Sequence, residues 1–400
     1  MKKVHVIGAG FAGLTVALRL AQKGFQVEIH EKSSRLGGLL GTETTEHGLV
    51  ESAANSLIRT DLAEKLFTEL NIPLSLPLES SKKRFIFRGL PQKWPLKFFE
   101  TIGFVGRLVP KILFAKDKLK PSAGQTLSDW GTKNLGTPGT QFLLEPAMQG
   151  IYANGISGLS ASLILGPLFN RKKAKYRGLL TGPRGMQGLI DGLAQRLQEL
   201  NVQINLNSTV EISSLQGPVV VATSASAASQ ILKTAEPQLS GLLAQIPMSS
   251  LMSTTLFFNQ AQTTYQGFGC LIPRQFGLKT LGILMNPYIF EGRNKTYNET
   301  WIIGGIDQGD LLQLSDTEVL KLIAEERFRI LQSKEGLVDY RIHRWPNALP
   351  YYGLELETVL KSLPPTKNIY LHGNYLGGLG LSKILERSEN LAEEISKSHG

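Results

Sequence analysis

The chain has 400 residues, 42% hydrophobic and 19% charged, a balance too apolar for a disordered chain and ample for two or three domains around a large core. Its single cysteine, Cys270, excludes an internal disulfide and a cysteine-based metal cluster, and fits a reducing compartment. The net charge of +10 is concentrated: between Lys82 and Lys120, eight lysines and three arginines stand against only Glu100 and Asp117.

The chain enters a strand almost at once, Lys3-Val4-His5-Val6-Ile7, with no basic-then-apolar leader, so no secretory signal is expected. Gly8-Ala9-Gly10-Phe11-Ala12-Gly13 follows, and a helix is predicted from Gly13 to Lys23. That strand-turn-helix setting is what a GxGxxG run needs to hold a dinucleotide. Gly8 permits the tight turn, Gly10 lets the backbone approach a pyrophosphate, and Gly13 lets helix and strand pack closely. The phosphates would meet free N–H groups at the positive end of the helix dipole. Val27 to Glu31 reads as the second strand. Glu31 can accept hydrogen bonds from ribose hydroxyls and would repel a 2′-phosphate, which disfavours NADP. Arg35 and the Gly37-Gly38 pair then form a second turn where main chain can pass close to a planar ligand or its diphosphate. The reading is FAD; a glycine-rich turn in some other α/β protein is the alternative.

A helix is predicted from Asp61 to Leu70, and residues 80–177 read as mostly helical, with short helices at Ser128–Asn134 and Pro138–Gly150 and a basic loop over Arg171–Lys175. In the basic segment, Phe85, Phe87, Trp94, Phe98, Phe99, Ile102, Phe104 and their neighbours interleave with the lysines. That pattern suits a surface lying on an anionic bilayer better than a nucleic-acid groove, and no nucleic-acid partner is expected. An ordinary helical subdomain with a solvated lysine face is the rival. No apolar run approaches the roughly 20 residues that span a bilayer. The protein is therefore expected to be cytoplasmic, either soluble or peripheral on the inner face of the membrane.

Gly185 opens a predicted helix through Leu200, and Val202–Ile204 and Thr209–Ile212 alternate like strands. Pro218-Val219-Val220-Val221-Ala222 is a continuous β-branched run, the mark of a central parallel strand, and reads as the chain returning to the dinucleotide sheet. Strand-like runs at Ser253–Phe258, Thr280–Met285 and Glu299–Ile306, then a helix from Ser315 to Leu331, suggest a separate antiparallel sheet with a covering helix. Asn368–His372 is a last strand, followed by glycines and a helix from about Leu381 to Ser396. Its positive end could stabilise negative charge on a reduced flavin. Six scattered histidines show no ligand spacing such as HExxH, and no metal is expected.

Taken together, these segments resemble the flavin amine oxidase superfamily, and most closely its protoporphyrinogen oxidase branch. The Val6 to Gly41 run is shared across the superfamily. More telling are Glu145-Pro146 with Gly150-Ile151-Tyr152-Ala153, similar to "EP…GVYAG", and Gly185-Met186-Gln187-Gly188-Leu189, similar to "GGMQxL". Gly267–Pro273 resembles "GFGxLVP", Trp345 to Tyr352 resembles "W..A.PQY", and Gly373-Asn374-Tyr375 stands where the family has its last cofactor turn. The resemblance implies a p-hydroxybenzoate-hydroxylase-like α/β fold with a GxGxxG FAD domain, a mixed β-sheet substrate domain and a helical domain. The FAD domain would comprise 1–78, 180–235 and 345–400, the helical, basic, membrane-contacting domain 79–179, and the substrate domain 236–344.

It also implies the reaction: a porphyrinogen, protoporphyrinogen IX or coproporphyrinogen III, loses hydrides stepwise to flavin, which dioxygen or another acceptor reoxidises, in heme biosynthesis. Aromatisation supplies the driving force, so no strong general base is required, and none is assigned as catalytic. By the same resemblance Gly8, Ala9, Gly10, Phe11, Ala12, Gly13, Glu31, Arg35, Gly37, Gly38, Leu39, Asn55, Ser56, Val210, Trp345, Gly373, Asn374, Leu379, Gly380 and Leu381 would hold FAD, and Arg84 a substrate carboxylate. Two departures stand out. Ala53-Ala54 replaces the family's usual Gly-Pro, and the chain is short for that branch. Other readings are an amine oxidase or carotenoid desaturase of the same superfamily, or a flavoprotein without its own catalysis.

Overall fold

The computed structural model describes residues 2–169, 175–176, 178–259, 264–333 and 336–399; residues 171–174 of the expected basic loop lie outside them. Five parallel strands form one sheet in the order Ile369–Leu371, Val219–Val221, Lys3–Ile7, Gln26–His30, Gln203–Asn205. Val219–Val221 is buried throughout and paired on both edges, as a β-branched run without alternation requires. Alternate residues of the opening strands face two cores. Val4, Val6, Val27 and Ile29 pack under the helices Phe11–Gln22, Gly185–Glu199 and Leu381–His399. Ile7, Val219 and Val221 pack on the other face against the helices Ala225–Leu232 and Pro237–Ala244.

A second, seven-stranded sheet runs Leu337–Pro350, Met248–Phe258, Tyr297–Gly305, Thr280–Met285, Gly269–Leu271, Arg84–Arg88, Leu90–Gln92. The helix Asp316–Leu331 covers it, started by a Ser315/Glu318 capping box and burying Val319, Ile323 and Ile330 against Met252, Trp301 and Ile303.

The structure differs from the sequence reading at several points. The first helix begins at Phe11 rather than Gly13, which puts Gly10 at its cap. Thr209–Ile212 is not a strand: the first sheet already ends at Gln203–Asn205, and Ile212 instead turns into the core on a short 3₁₀ segment. The stretch expected to be mostly helical contains a hairpin, Arg84–Arg88 with Leu90–Gln92, whose first strand joins the second sheet parallel to Gly269–Leu271. Phe85 and Phe87 point into that sheet's core, so the alternation of Arg84-Phe85-Ile86-Phe87-Arg88 belongs to a half-buried strand.

The rest of that stretch is helical: Phe98–Phe114, then Leu127–Gly139 kinked at Gly136, Glu145–Tyr152 and Ala161–Phe169. Arg88 ties the hairpin to the first of these helices by a two-pronged bond to Glu100 (2.7 and 3.0 Å), which holds the Glu100 carboxyl at about 2. Phe98–Phe114 buries no residue completely, and Phe98, Phe99, Leu113 and Phe114 are 72%, 82%, 66% and 85% exposed. Among the described residues no helix is long and apolar enough to cross a membrane.

Candidate active site

The carboxyl ends of parallel strands are where an open α/β sheet leaves a crevice. Here four strands end at Ile7, His30, Val221 and Leu371, and the chain beyond them brings Gly8, Glu31, Thr223 and Gly373 to the crevice. They are drawn tightly together. The Gly8 N–H donates to the His30 carbonyl (2.8 Å), and a Cβ on Gly8 would sit 2.7 Å from the Ala222 carbonyl oxygen, one on Gly373 2.8 Å from that of Thr223. Gly37 closes onto the same turn, its N–H donating to the Ala9 carbonyl (2.9 Å).

Two features leave room for a diphosphate. The Phe11–Gln22 helix is capped at Gly10 with no side-chain cap bond and no acid in its first turn, which leaves the positive end of the helix to an anion. A Cβ on Gly10 would find only the Gly38 Cα, at 3.8 Å. A cradle of bare backbone on two sides fits the phosphates of a dinucleotide.

Glu31 is held in place rather than free: one carboxylate oxygen accepts from the Ala9 N–H (2.7 Å), the other from the Ser33 N–H and hydroxyl (2.8 and 2.7 Å). Arg35 folds its guanidinium onto the carbonyls of Leu36, Gly38 and Leu40, so it fixes the shape of the second turn. Ser52 bridges this loop onward, its hydroxyl donating to Leu39 (2.8 Å) and its carbonyl receiving the Trp345 indole N–H (2.7 Å). Trp345 in turn stacks on His343 at 7° between planes, and burial lowers the His343 pKa. Asn374 meets the same segment: its carbonyl accepts from Tyr352 (2.7 Å) and its amide donates to Ala348 (3.4 Å). Val210, half-buried, rides the loop whose Ser208 N–H bonds the Glu31 carbonyl (2.9 Å). Leu379 and Gly380 lead into Leu381, the first residue of the last helix.

Asn55, Ser56 and Arg84 make none of the contacts just described. Ser56 donates to the Asn55 side chain (2.7 Å), and Asn55 lines a small cleft with Glu51 and Arg293. These two form a buried ion pair, yet burial still raises the Glu51 pKa. Arg84 lies at the hairpin's start, exposed, 4.9 Å from the Phe268 ring and without an ion pair among the described residues.

Matches to known proteins fit this architecture. Residues 11–212 match the flavin-containing amine oxidoreductase family, half of the chain. The chain belongs to that family. The cofactor of this flavin amine oxidoreductase is FAD, and the protein is an FAD-dependent oxidoreductase. Tobacco mitochondrial protoporphyrinogen oxidase is 24% identical, covering 98% of this chain and 94% of that one. Coproporphyrinogen III oxidase of Bacillus subtilis is 22% identical over 97% and 96%. A provisionally named protoporphyrinogen oxidase from Exiguobacterium sp. 255-15 superposes with a TM-score of 0.80 at 19% identity over 100% and 99%, which shows a common fold.

Sequence reasoning missed a buried polar thread that joins the segments of the oxidoreductase's first sheet. His372 Nε2 lies 2.9 Å from the Ser388 hydroxyl, which lies 2.8 Å from Thr15 of the first helix. No local signal announces it, because the partners are far apart in sequence. Burial pushes the His372 pKa down to about 3 from 6.5. An unfolded chain therefore takes up a proton below pH 6.5 that the folded one refuses until about pH 3. This contribution is whole above that window and falls by up to about 1.4 kcal/mol per pH unit as pH drops through it. Urea melts across the window should show a shallower pH slope for His372→Gln than for the parent; equal slopes would contradict the assignment.

Proposed function

We propose that this flavin amine oxidoreductase oxidises a porphyrinogen, protoporphyrinogen IX or coproporphyrinogen III, to the porphyrin in heme biosynthesis. The observation that carries the reading is end-to-end coverage: relatives bearing those two names align over nearly the whole of both chains. FAD supplies a two-electron acceptor for the hydrogens removed from the substrate, with dioxygen or another oxidant taking the electrons onward. The residues at the crevice bind and orient. Gly8 to Gly13 take the diphosphate on the first helix, Glu31 the ribose, and Gly37, Gly38 and Leu39 the second turn that Arg35 stiffens. Val210, Trp345, Gly373, Asn374, Leu379, Gly380 and Leu381 complete the cradle, with Asn55 and Ser56 beyond it. Arg84 offers an exposed guanidinium, without an ion pair among the described residues, to a substrate carboxylate.

An amine oxidase of the same family would need two aromatic rings framing the reacting carbon. Near the last turn Tyr375 is fully buried and Tyr352 is 2% exposed with its hydroxyl bound to Asn374, which leaves the half-buried Tyr351 as the ring that could serve. On the porphyrinogen reading, turnover is expected with porphyrinogens and not with amines. The assay supplies protoporphyrinogen, coproporphyrinogen and an amine panel side by side, following porphyrin fluorescence and peroxide. Peroxide from amines alone would overturn the proposal. Arg84→Ala is expected to raise KM for the porphyrinogen with kcat little changed; an unchanged KM removes Arg84 from the site.

The exposed Phe98, Phe99, Leu113 and Phe114 with the surrounding lysines favour a peripheral seat on an anionic bilayer. Co-sedimentation with anionic vesicles should be strong at low salt and weaken as salt rises. Failure to sediment at low salt would contradict this.

A further inference from the structure

Three ligating side chains converge on one face of the first sheet, between its two opening strands. The register of the two opening strands sets His5 opposite Glu28, and His30 lies two residues further along the same face. His5 Nδ1 is 3.2 Å from His30 Nε2 and 3.6 Å from Glu28 Oε2, while His30 Nε2 is 3.9 Å from Glu28 Oε1. Donor atoms bound to one tetrahedral ion at about 2.0–2.2 Å lie about 3.3–3.5 Å apart, so little movement separates this cluster from a coordinated one.

We propose that His5, Glu28 and His30 bind one divalent cation of the zinc class between the first two strands. Two imidazoles and one carboxylate suit zinc, cobalt or nickel rather than magnesium or calcium, which favour all-oxygen shells. Three protein ligands leave a fourth position for water.

The surroundings orient the ligands as metal sites require. The remaining nitrogen of His30 lies 3.4 Å from the Ser208 hydroxyl, His5 hydrogen-bonds the Gln216 backbone, and Asn205 donates to Glu28 (2.8 Å). The cation would thus fasten the 205–216 segment, which carries Val210, to the sheet beneath it. Both imidazoles are at least nine-tenths buried. One charge opposes the site. Lys3 Nζ lies 2.6 Å from Glu28 Oε2, but its side chain is 46% exposed and can swing to solvent when a cation takes its place.

The test titrates Co²⁺ into the FAD-loaded full-length protein and follows the ligand-field absorption of tetrahedral cobalt, then displaces it with Zn²⁺. One equivalent is expected to bind and to be released by zinc. His5→Gln and His30→Gln should lose the band while retaining flavin. Ser208→Ala should weaken binding roughly ten- to hundredfold. Lys3→Gln should tighten it roughly tenfold by removing the competing charge, a gain that a merely structural histidine pair would not show. No band in the parent protein under excess cobalt would overturn the site, as would equal affinity in the parent, His30→Gln and Lys3→Gln.

Discussion

Gly10→Ala should yield a folded, colourless protein, whereas Gly13→Ala should fail to fold stably at all. The two glycines lie in one turn but lack a Cβ for different reasons. A Cβ on Gly13 would drive into the carbonyl oxygen of Gly8, which is backbone and cannot swing aside. Helix and strand would have to part, and the first core with them. A Cβ on Gly10 finds ordinary contact distance to Gly38 and otherwise open space, and the Gly10 backbone, at φ −70°, accepts alanine without strain. The cost to the flavin-free protein is then about that of changing a helix cap, within ~1 kcal/mol. The methyl group would instead occupy the place proposed for the diphosphate. Thermal melts of the flavin-free proteins, alongside flavin absorbance after purification, separate the two effects. Gly10→Ala protein carrying a full complement of FAD would show that the diphosphate lies elsewhere.

Arg327→Met is expected to cost about 3–5 kcal/mol of stability, because it strands a buried charge. Glu299 is fully buried in the second sheet, and its carboxylate accepts from Arg327 Nε (2.9 Å) and Nη2 (3.1 Å), the Tyr297 hydroxyl (2.9 Å) and the Trp301 indole (3.1 Å). Removing the guanidinium leaves two neutral donors to hold an anion out of water. The double variant Glu299→Gln with Arg327→Met removes both charges and should recover part of the loss. Denaturant melts give the comparison directly. A single variant as stable as the parent would mean that the pair is solvated.

These networks mark the boundary of what the sequence discloses. Segments whose own pattern decides their structure were legible: the Lys3–Ile7 strand, the uninterrupted Val219–Val221 run, the Gly185–Glu199 helix and the closing strand and helix at Ile369–Leu371 and Leu381–His399. The glycine turns were legible too, since backbone geometry there admits few other residues. Arg84–Arg88 was missed, although its alternation is plain, because its partner Gly269–Leu271 is remote in the chain and its neighbours are helical. Thr209–Ile212 alternates equally well and forms no strand, because among the described residues no strand pairs with it. His5, Glu28 and His30 look scattered along the chain, and only strand register brings them together. Motif spacing within one element cannot disclose such a site.

The proposed porphyrinogen oxidation requires that substrate hydrogen pass to the protein's own FAD. Anaerobic mixing of the flavin-loaded protein with protoporphyrinogen IX, and separately with coproporphyrinogen III, tests it without any electron acceptor in the way. Bleaching of the flavin absorbance in step with the appearance of porphyrin is expected with at least one of the two. A flavin that stays oxidised against both would contradict the account.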